Sequence, residues 1–342
     1  MDRKKHPSRA SRSASAGAVL AIASLLFFAA TWVSRAQTPG VAWAAPTQIV
    51  ETSGELFLTT MVSDAQGHVH LVYVDQPAGM ASAALYYTRW DGYDWIRPVD
   101  VLIDPEASDP SSPRAVIDAT RTLHVFWGGG NRTLRHAFVP LSQAEFPRAW
   151  SAPVSIAQAL PASHDAIVSA DGVMLVAYTD GADGSVRLLT SVDLGQTWSE
   201  PATVAIPESG VAAGDVRMAS GADGTLHVVW TEYTLPDGWP PSGAFYSRSI
   251  DGGRTWTRKL QVAPAGHGQI GIATGAGDAV HLVWRSTIGG DGTLHQVSSD
   301  GGLTWDIPDR SDDRGGFSGL PSFARSSDDA LHLVVGRGFY AN

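Results

Sequence analysis

An eight-residue string of the form S-x-D-x-G-x-T-W occurs three times, and it constrains the fold more than any other feature of the chain. The copies are 191–198 (SVDLGQTW), 249–256 (SIDGGRTW) and 298–305 (SSDGGLTW). Their fixed positions are Ser191, Asp193, Gly195, Thr197 and Trp198; Ser249, Asp251, Gly253, Thr255 and Trp256; and Ser298, Asp300, Gly302, Thr304 and Trp305. Each has a physical use. The Asp accepts hydrogen bonds from turn amides. The Gly takes a left-handed conformation that a side chain disfavours. The Thr opens the next strand, and the Trp brings a large apolar surface to bury. The string is a hairpin corner used repeatedly, and a worn copy stands at 88–95 (TRWDGYDW).

A second string, a short alternating strand after an acidic or Gly turn, recurs six times. Its copies are 68–73, 122–127, 173–178, 225–230, 279–284 and 330–335, with third residues His70, His124, Leu175, His227, His281 and His332. The spacings are 54, 51, 52, 54 and 51 residues. Six copies of this period indicate six propeller blades. In the fourth copy the pattern predicts strands over 216–220, 225–232, 244–249 and 256–262, with a hairpin turn at Ala222, Asp223 and Gly224. A W-x-x-P string (Trp95 with Pro98, Trp150 with Pro153, Trp198 with Pro201) marks the outer strand, where an edge tolerates proline. The same string at Trp43 and Pro46 has no blade of its own, and the sixth copy lacks an outer strand. Residues 43–50 are therefore expected to close the ring. The fold class is all-β: a six-bladed β-propeller of four-stranded antiparallel blades closed by the N-terminal strand, spanning 41–342.

The corner string resembles the Asp box of the bacterial neuraminidase repeat found in sialidase-like β-propellers. The resemblance implies that the corners are structural and lie on the face opposite the ligand pocket. It also implies an arginine triad for the substrate carboxylate, opened by an Arg-Ile-Pro motif, with a Tyr/Glu nucleophile and an Asp acid/base. This chain has no Arg-Ile-Pro; Arg97 and Pro98 fall on an expected outer strand. Two function classes follow. One is a non-catalytic module that binds a glycan or protein on its loop face. The other is an exo-glycosidase of sialidase type acting on terminal acidic sugars.

Residues 1–36 are set apart from the rest. Arg3, Lys4, Lys5, Arg9 and Arg12 precede an apolar run over 16–33, and Ser34 and Ala36 suit a cleavage site. This is a signal-peptide pattern, giving a secreted or cell-surface protein. The alternative is an uncleaved membrane anchor at 16–33. The segment holds six of the 24 Lys and Arg and one of the 34 Asp and Glu, which leaves the remainder at −15 with Lys259 as its sole lysine. Such a charge argues against nucleic-acid binding. There is no cysteine, hence no disulfide or thiolate metal site. A monomer is expected.

The recurrent histidines lie on separate repeats and do not converge on one ion, so they read as packing or hydrogen-bonding positions. No metal and no cofactor is expected. Aligning the copies on the second strand puts Arg114 and Arg217 at one position near the start of the first strand, where the others hold Thr60, Asp165, Gly271 and Ser322. The ends of the second strands bring Asp75, Asp180, Glu232 and Arg337. Arg114 and Arg217 are expected to face one central pocket, with the other charges at its rim. The guanidinium fork suits a carboxylate. The alternative is a set of rim charges that pair with one another. The loop 235–241 (LPDGWPP) is long for its position, and its Trp239 either stacks on a sugar ring or tucks onto the sheet.

Overall fold

Period-two alternation between Gly- and Asp-rich turns makes this chain a succession of antiparallel strands. The computed structural model describes residues 48–50, 55–80, 82–102, 110–286, 292–310, 321–325 and 330–334. All of them belong to one compact unit, 48–342. The first sheet holds β1 (Glu55–Ser63), β2 (Val69–Gln76), β3 (Ala84–Trp90) and β4 (Val99–Leu102). Then come β5 (Ser111–Ile117), β6 (Thr122–Gly129), β7 (Thr133–Pro140), β8 (Val154–Val168), β9 (Met174–Asp180), β10 (Val186–Ser191) and β11 (Ala202–Ala205). The fourth repeat comprises β12 (Val211–Ser220), β13 (Leu226–Thr234), β14 (Gly243–Ser249) and β15 (Leu260–Ala263). The fifth comprises β16 (His267–Thr274), β17 (Val280–Ser286), β18 (Thr293–Ser298) and β19 (Asp309–Arg310). Of the sixth, β20 (Ser322–Arg325) and β21 (Leu331–Val334) form a pair. Among the described residues all pairings are antiparallel between sequence neighbours, and the protein is all-β. The first strands of successive repeats pack side by side: β1 on β5, β5 on β8, β8 on β12, β12 on β16, and β16 on β20.

Two features differ from the sequence expectation. The second and third repeats share one seven-stranded sheet, because β8 is the outer strand of one and the first strand of the other. Its 154–168 stretch contains no Gly, Asn or Asp-Gly turn to break it, only Pro161. The outer strands also start later than their Trp. In the fourth repeat the strand begins at Leu260, not at Trp256. In the first and third repeats the W-x-x-P proline sits immediately before the strand instead of inside it. Over those residues side chains supplement the ladder: Ser247 Oγ donates to the Thr257 carbonyl at 2.8 Å, and Thr88 Oγ1 donates to the Ile96 carbonyl at 2.6 Å. The expected closing strand at 43–50 lies outside the described residues, except that 48–50 form no strand.

The core runs through the second strands. Tyr73, Trp127, Tyr178, Trp230 and Trp284 end the repeated string, and each is at most 2% exposed. Truncating such an aromatic to Ala costs about 3–5 kcal/mol. The corners tie one repeat to the one before. In each, the Ser Oγ donates to the Asp and accepts the Gly amide, while the Thr amide and hydroxyl both donate to the Asp. The Gly and Trp then meet the third strand of the preceding repeat. Trp198 stands edge-on to His136 at 5.6 Å, and Trp305 edge-on to Tyr246 at 5.1 Å. In the second repeat two 3-10 turns, Leu141–Gln143 and Pro147–Ala149, replace the corner string, and Trp150 meets Tyr87 at 6.2 Å.

Four of the second-strand histidines are internal struts, whereas His332 on β21 is exposed. His70 and His227 bond Tyr87 and Tyr246 through Nδ1 at 2.8 and 2.7 Å. His124 and His281 likewise bond His136 and His295, both at 3.1 Å. Where the string has Leu175 the equivalent third-strand position holds Leu188, and the two share one apolar cluster.

Candidate functional site

Arg114 and Arg217 lie near the bulged starts of β5 and β12, where successive first strands pack together. Arg114 Nε is 3.4 Å from Asp165 Oδ1, and its Nη1 donates to the Pro113 carbonyl at 3.0 Å. Burial, and then the nearby Arg217 charge, pull the Arg114 guanidinium down to about 10. Arg217 Nη1 donates to its neighbour's carbonyl, Val216, at 2.7 Å. Among the described residues Arg217 has no carboxylate within ion-pair distance, although it is half-buried. His164, within electrostatic reach of both arginines, is fully buried; burial, followed by the charges of Arg114 and Arg217, pushes its imidazole down to about 3. The two arginines and this histidine thus share one locality.

Asp165 has two tasks. Its Oδ1 faces Arg114, while its Oδ2 accepts the Met218 amide at 3.0 Å and joins β8 to β12. Thr60 makes the corresponding link one pair of repeats earlier, accepting the Ala115 amide at 3.3 Å. The acids beside the arginines are Asp165 and Asp215, not Asp180 and Glu232. Asp180 is 3.5 Å from Arg187 Nε at the turn into β10. Glu232 is 4% exposed and takes Lys259 Nζ at 2.7 and 2.9 Å together with the Trp230 indole at 3.1 Å. Each carboxylate pairs with a cation later in its own repeat, Asp180 with Arg187 on β10 and Glu232 with Lys259 just before β15. Asp75 is buried at the end of β2, where burial and then the Asp75 charge raise the Tyr73 hydroxyl. Trp239 is 52% exposed on its loop. The loop leaves β13 at Leu235, whose amide donates to the Gly210 carbonyl ahead of β12, and returns at Pro241, whose carbonyl accepts the Gly266 amide ahead of β16. Arg337 lies outside the described residues.

Sequence reasoning missed Asp215 and Tyr233. Asp215 sits in the bulge two residues before Arg217, and the Tyr233 hydroxyl donates to its carboxylate. Burial, and then the Asp215 charge, raise the Tyr233 hydroxyl well above its ordinary value, so it stays protonated. Its ring packs over Gly214, where an added Cβ would come within 2.9 Å of Cε2. The Asp215 charge also reaches Arg114. The one sequence signal for this pair was Gly214, and a lone glycine in a strand marks a bulge only weakly.

The corner carboxylates show a different character. Hydrogen bonds from the Thr hydroxyl, then the Thr amide, then the Ser hydroxyl hold Asp193 and Asp251 down to about 2 and lower Asp300 also. Their hydrogen-bond partners are local, which fits a fastening and not a reacting group. Among the described residues no set of three His, Asp or Glu side chains is disposed to hold a metal ion.

Repeated antiparallel sheets fastened by S-x-D-x-G-x-T-W corners define an all-β repeat protein of sialidase-like build. The family model described as the BNR repeat-like domain matches residues 121–334. That is more than half of the 342 residues, and the chain belongs to this family. Similar solved structures include a protein of unknown function from Dyadobacter fermentans, at 16% identity over 83% of this chain and 94% of that one, with a TM-score of 0.56. The NanB sialidase of Streptococcus pneumoniae is 10% identical over 84% of this chain and 67% of its own, with a TM-score of 0.60. A PL25 ulvan lyase is 14% identical over 77% and 73%, with a TM-score of 0.54. Identities this low establish a shared fold alone. No curated protein matches the sequence.

Proposed function

We propose that residues 41–342 form a six-bladed β-propeller closed by the N-terminal segment 43–50, and that it is an exported, monomeric module binding an acidic glycan or protein group through Arg114 and Arg217. Six repeats and the side-by-side succession of first strands support the ring. The leader pattern at 1–36 supports export, with anchoring by 16–33 as the alternative. Among the described residues no helix is long and apolar enough to cross a membrane, and 16–33 lies outside them. One observation carries the binding reading: Arg217 is half-buried without a carboxylate partner and stands close to a second arginine. A desolvated guanidinium without a counter-ion is costly unless an anion arrives. Arg217→Ala should weaken binding on an acidic-glycan array by about 2–5 kcal/mol and leave the melting temperature near that of the parent. A large fall in stability with unchanged binding would assign Arg217 to structure instead.

A second reading, hydrolysis of an acidic glycoside, is favoured by the Tyr233–Asp215 hydrogen bond close to the arginines. It ranks below binding because no Arg-Ile-Pro motif is present. A fluorogenic sialoside assay separates the two: turnover abolished by Tyr233→Phe would reverse the order.

A further inference from the structure

The turns between first and second strands differ at two positions that face the buried histidines. Six residues before the histidine, the first two repeats carry Asp64 and Asp118, whereas the fourth and fifth carry Gly221 and Gly275. Asp118 Oδ2 lies 3.2 Å from His124 Nε2, and Asp64 Oδ2 lies 3.6 Å from His70 Nε2. Three residues before the histidine the second repeat has Arg121, whose Nη2 reaches back to Asp64 Oδ2 at 3.9 Å. The fifth repeat has Asp278 at the same count. The gap between the first two repeats thus sets a cation against an acid. The gap between the fourth and fifth instead brings two acids, Asp223 and Asp278, to one cleft.

That cleft has room for about one water-sized group. Gly221, Asp223 and His227 of the fourth repeat line it together with Thr274, Asp278 and Gly301 of the fifth. Its walls are tied: Thr274 Oγ1 donates to the Ser220 carbonyl at 2.9 Å, and the Gly301 amide donates to the Asp278 carbonyl at 2.8 Å. Asp223 and Asp278 are exposed, whereas His227 is 1% exposed. His227 Nδ1 bonds the Tyr246 hydroxyl, and Nε2 has no hydrogen-bond partner among the described residues. A Cβ added at Gly221 would stand 3.6 Å from that Nε2 and 2.6 Å from Asp223 Oδ1, which brings both atoms to this wall of the cleft.

The chemistry of the lining calls for a cationic donor. Burial holds the His227 imidazole down to about 4, so it is neutral near pH 7. With Nδ1–H donated to the Tyr246 oxygen, Nε2 offers a lone pair, and a buried acceptor without a donor costs stability. Hydrogen bonds from the Thr225 hydroxyl and amide lower the Asp223 carboxyl, so it is ionised, and a carboxylate has lone pairs beyond those two. Arg248 is the nearby cation, but its Nη1 donates to the Gly301 carbonyl at 2.6 Å and it pairs with neither carboxylate. Lys259, the sole lysine beyond residue 36, is held by Glu232. The donor therefore comes from outside residues 37–342.

We infer that this cleft binds a primary ammonium group, of a small free amine or of a lysine side chain on a basic partner, through Asp223, Asp278 and His227 Nε2. A guanidinium is too large for a water-sized cleft, and among the described residues no three His, Asp or Glu side chains are disposed to hold a metal ion. An ammonium carries three N–H donors, one for each acceptor. The −15 charge of residues 37–342 draws cations to this surface. The cleft shares no residue with the arginine site, so the inference stands apart from the anion-binding reading.

The test is NMR titration of the full chain with methylammonium chloride at constant ionic strength, read at the His227 side-chain nitrogens. Nε2 should shift saturably. Tetramethylammonium, which has no N–H and a larger head, should bind about tenfold more weakly or worse, the worth of one charge-assisted hydrogen bond. Asp223→Asn and Asp278→Asn should each weaken methylammonium binding by about threefold to fivefold, as exposed charges do, and the double variant should lose it. Both side chains are exposed, so the fold should persist, and unchanged signals from the other histidines would show that it does. Nα-acetyl-lysine methylamide separates the two sources: binding as tight as methylammonium assigns the cleft to a partner's lysine, and its exclusion assigns the cleft to a free amine. The inference is overturned by the lack of a saturable shift at His227, by an equal response to tetramethylammonium or sodium, or by undiminished affinity in the double variant.

Discussion

Replacing the corner glycine Gly195 with Ala should destabilise the protein far more than the same change one position earlier in the next corner, at Gly252. Both glycines are left-handed, at φ 79° and 74°. An L residue there costs roughly 1–2 kcal/mol. The difference lies in packing. An added Cβ at Gly195 would come within 2.6 Å of His136 Cε1, whereas at Gly252 nothing lies within 4 Å. His136 has nowhere to retreat, because it is wholly buried, stacked on Phe126 at 4.6 Å and bonded to His124 at 3.1 Å. Overpacking of this kind adds about 1–3 kcal/mol. Gly195→Ala should therefore cost about 2–5 kcal/mol in all, and Gly252→Ala about 1–2. The chain already contains the control: Leu194 occupies the Gly252 position of its own corner at φ 59°. Urea unfolding of both variants, with slopes compared to detect any change in the unfolded state, measures the difference. His136→Ala combined with Gly195→Ala should show favourable coupling, because the truncated ring makes room. Equal costs for the two single variants, or no coupling in the double, would refute the inter-repeat packing argument.

Acid should weaken the fold in two windows. Burial depresses the imidazoles, His227 to about 4 and His136 to about 3, below the ordinary 6.5; the unfolded chain then binds protons the folded one does not, and stability falls as pH drops from 6.5 toward 4. His227→Gln should flatten that slope in urea midpoints measured across this range. The corner carboxylates are depressed from 3.8 to about 2 in Asp193 and Asp251, so their contribution is present above pH 3.8 and is lost as pH falls toward 2. Asp251→Asn should reduce the pH dependence of melting between pH 4 and 2 and leave it unchanged above pH 5. Lys259→Met leaves Glu232 buried with only the Trp230 indole, and should cost about 1–3 kcal/mol in chemical denaturation. Trp239→Ala should leave melting unaltered, since the side chain is half-exposed; a drop of several degrees would mean that its loop is part of the core.

Much of the fold was legible because it is written in local, repeated chemistry. The Asp, Gly and Thr of each corner act within eight residues, and their hydrogen bonds appear as their types imply. The second strands carry their burial in plain alternation, ending on Tyr73, Trp127, Tyr178, Trp230 and Trp284. The shared register of Arg114 and Arg217 was legible for the same reason, because equal spacing from a repeated strand sets equal height in the sheet. Other features depend on what lies across a gap between repeats. The string marks Gly195 as fixed and the position before it, Leu194, as free, but it does not show that Gly195 must clear His136. Nor does any pattern show that β8 would run unbroken through two repeats, or that Lys259 and Arg187 would claim Glu232 and Asp180. Asp215 and Gln269 look like ordinary strand residues in sequence, and only the register of β12 and β16 against their second strands turns them into left-handed bulges. The sequence by itself determined the repeat, its strands and its fastenings, because those rest on contacts between near neighbours. The tertiary structure decided which charges meet, because that depends on strand stagger and inter-sheet approach, which side chains 50 residues apart set jointly.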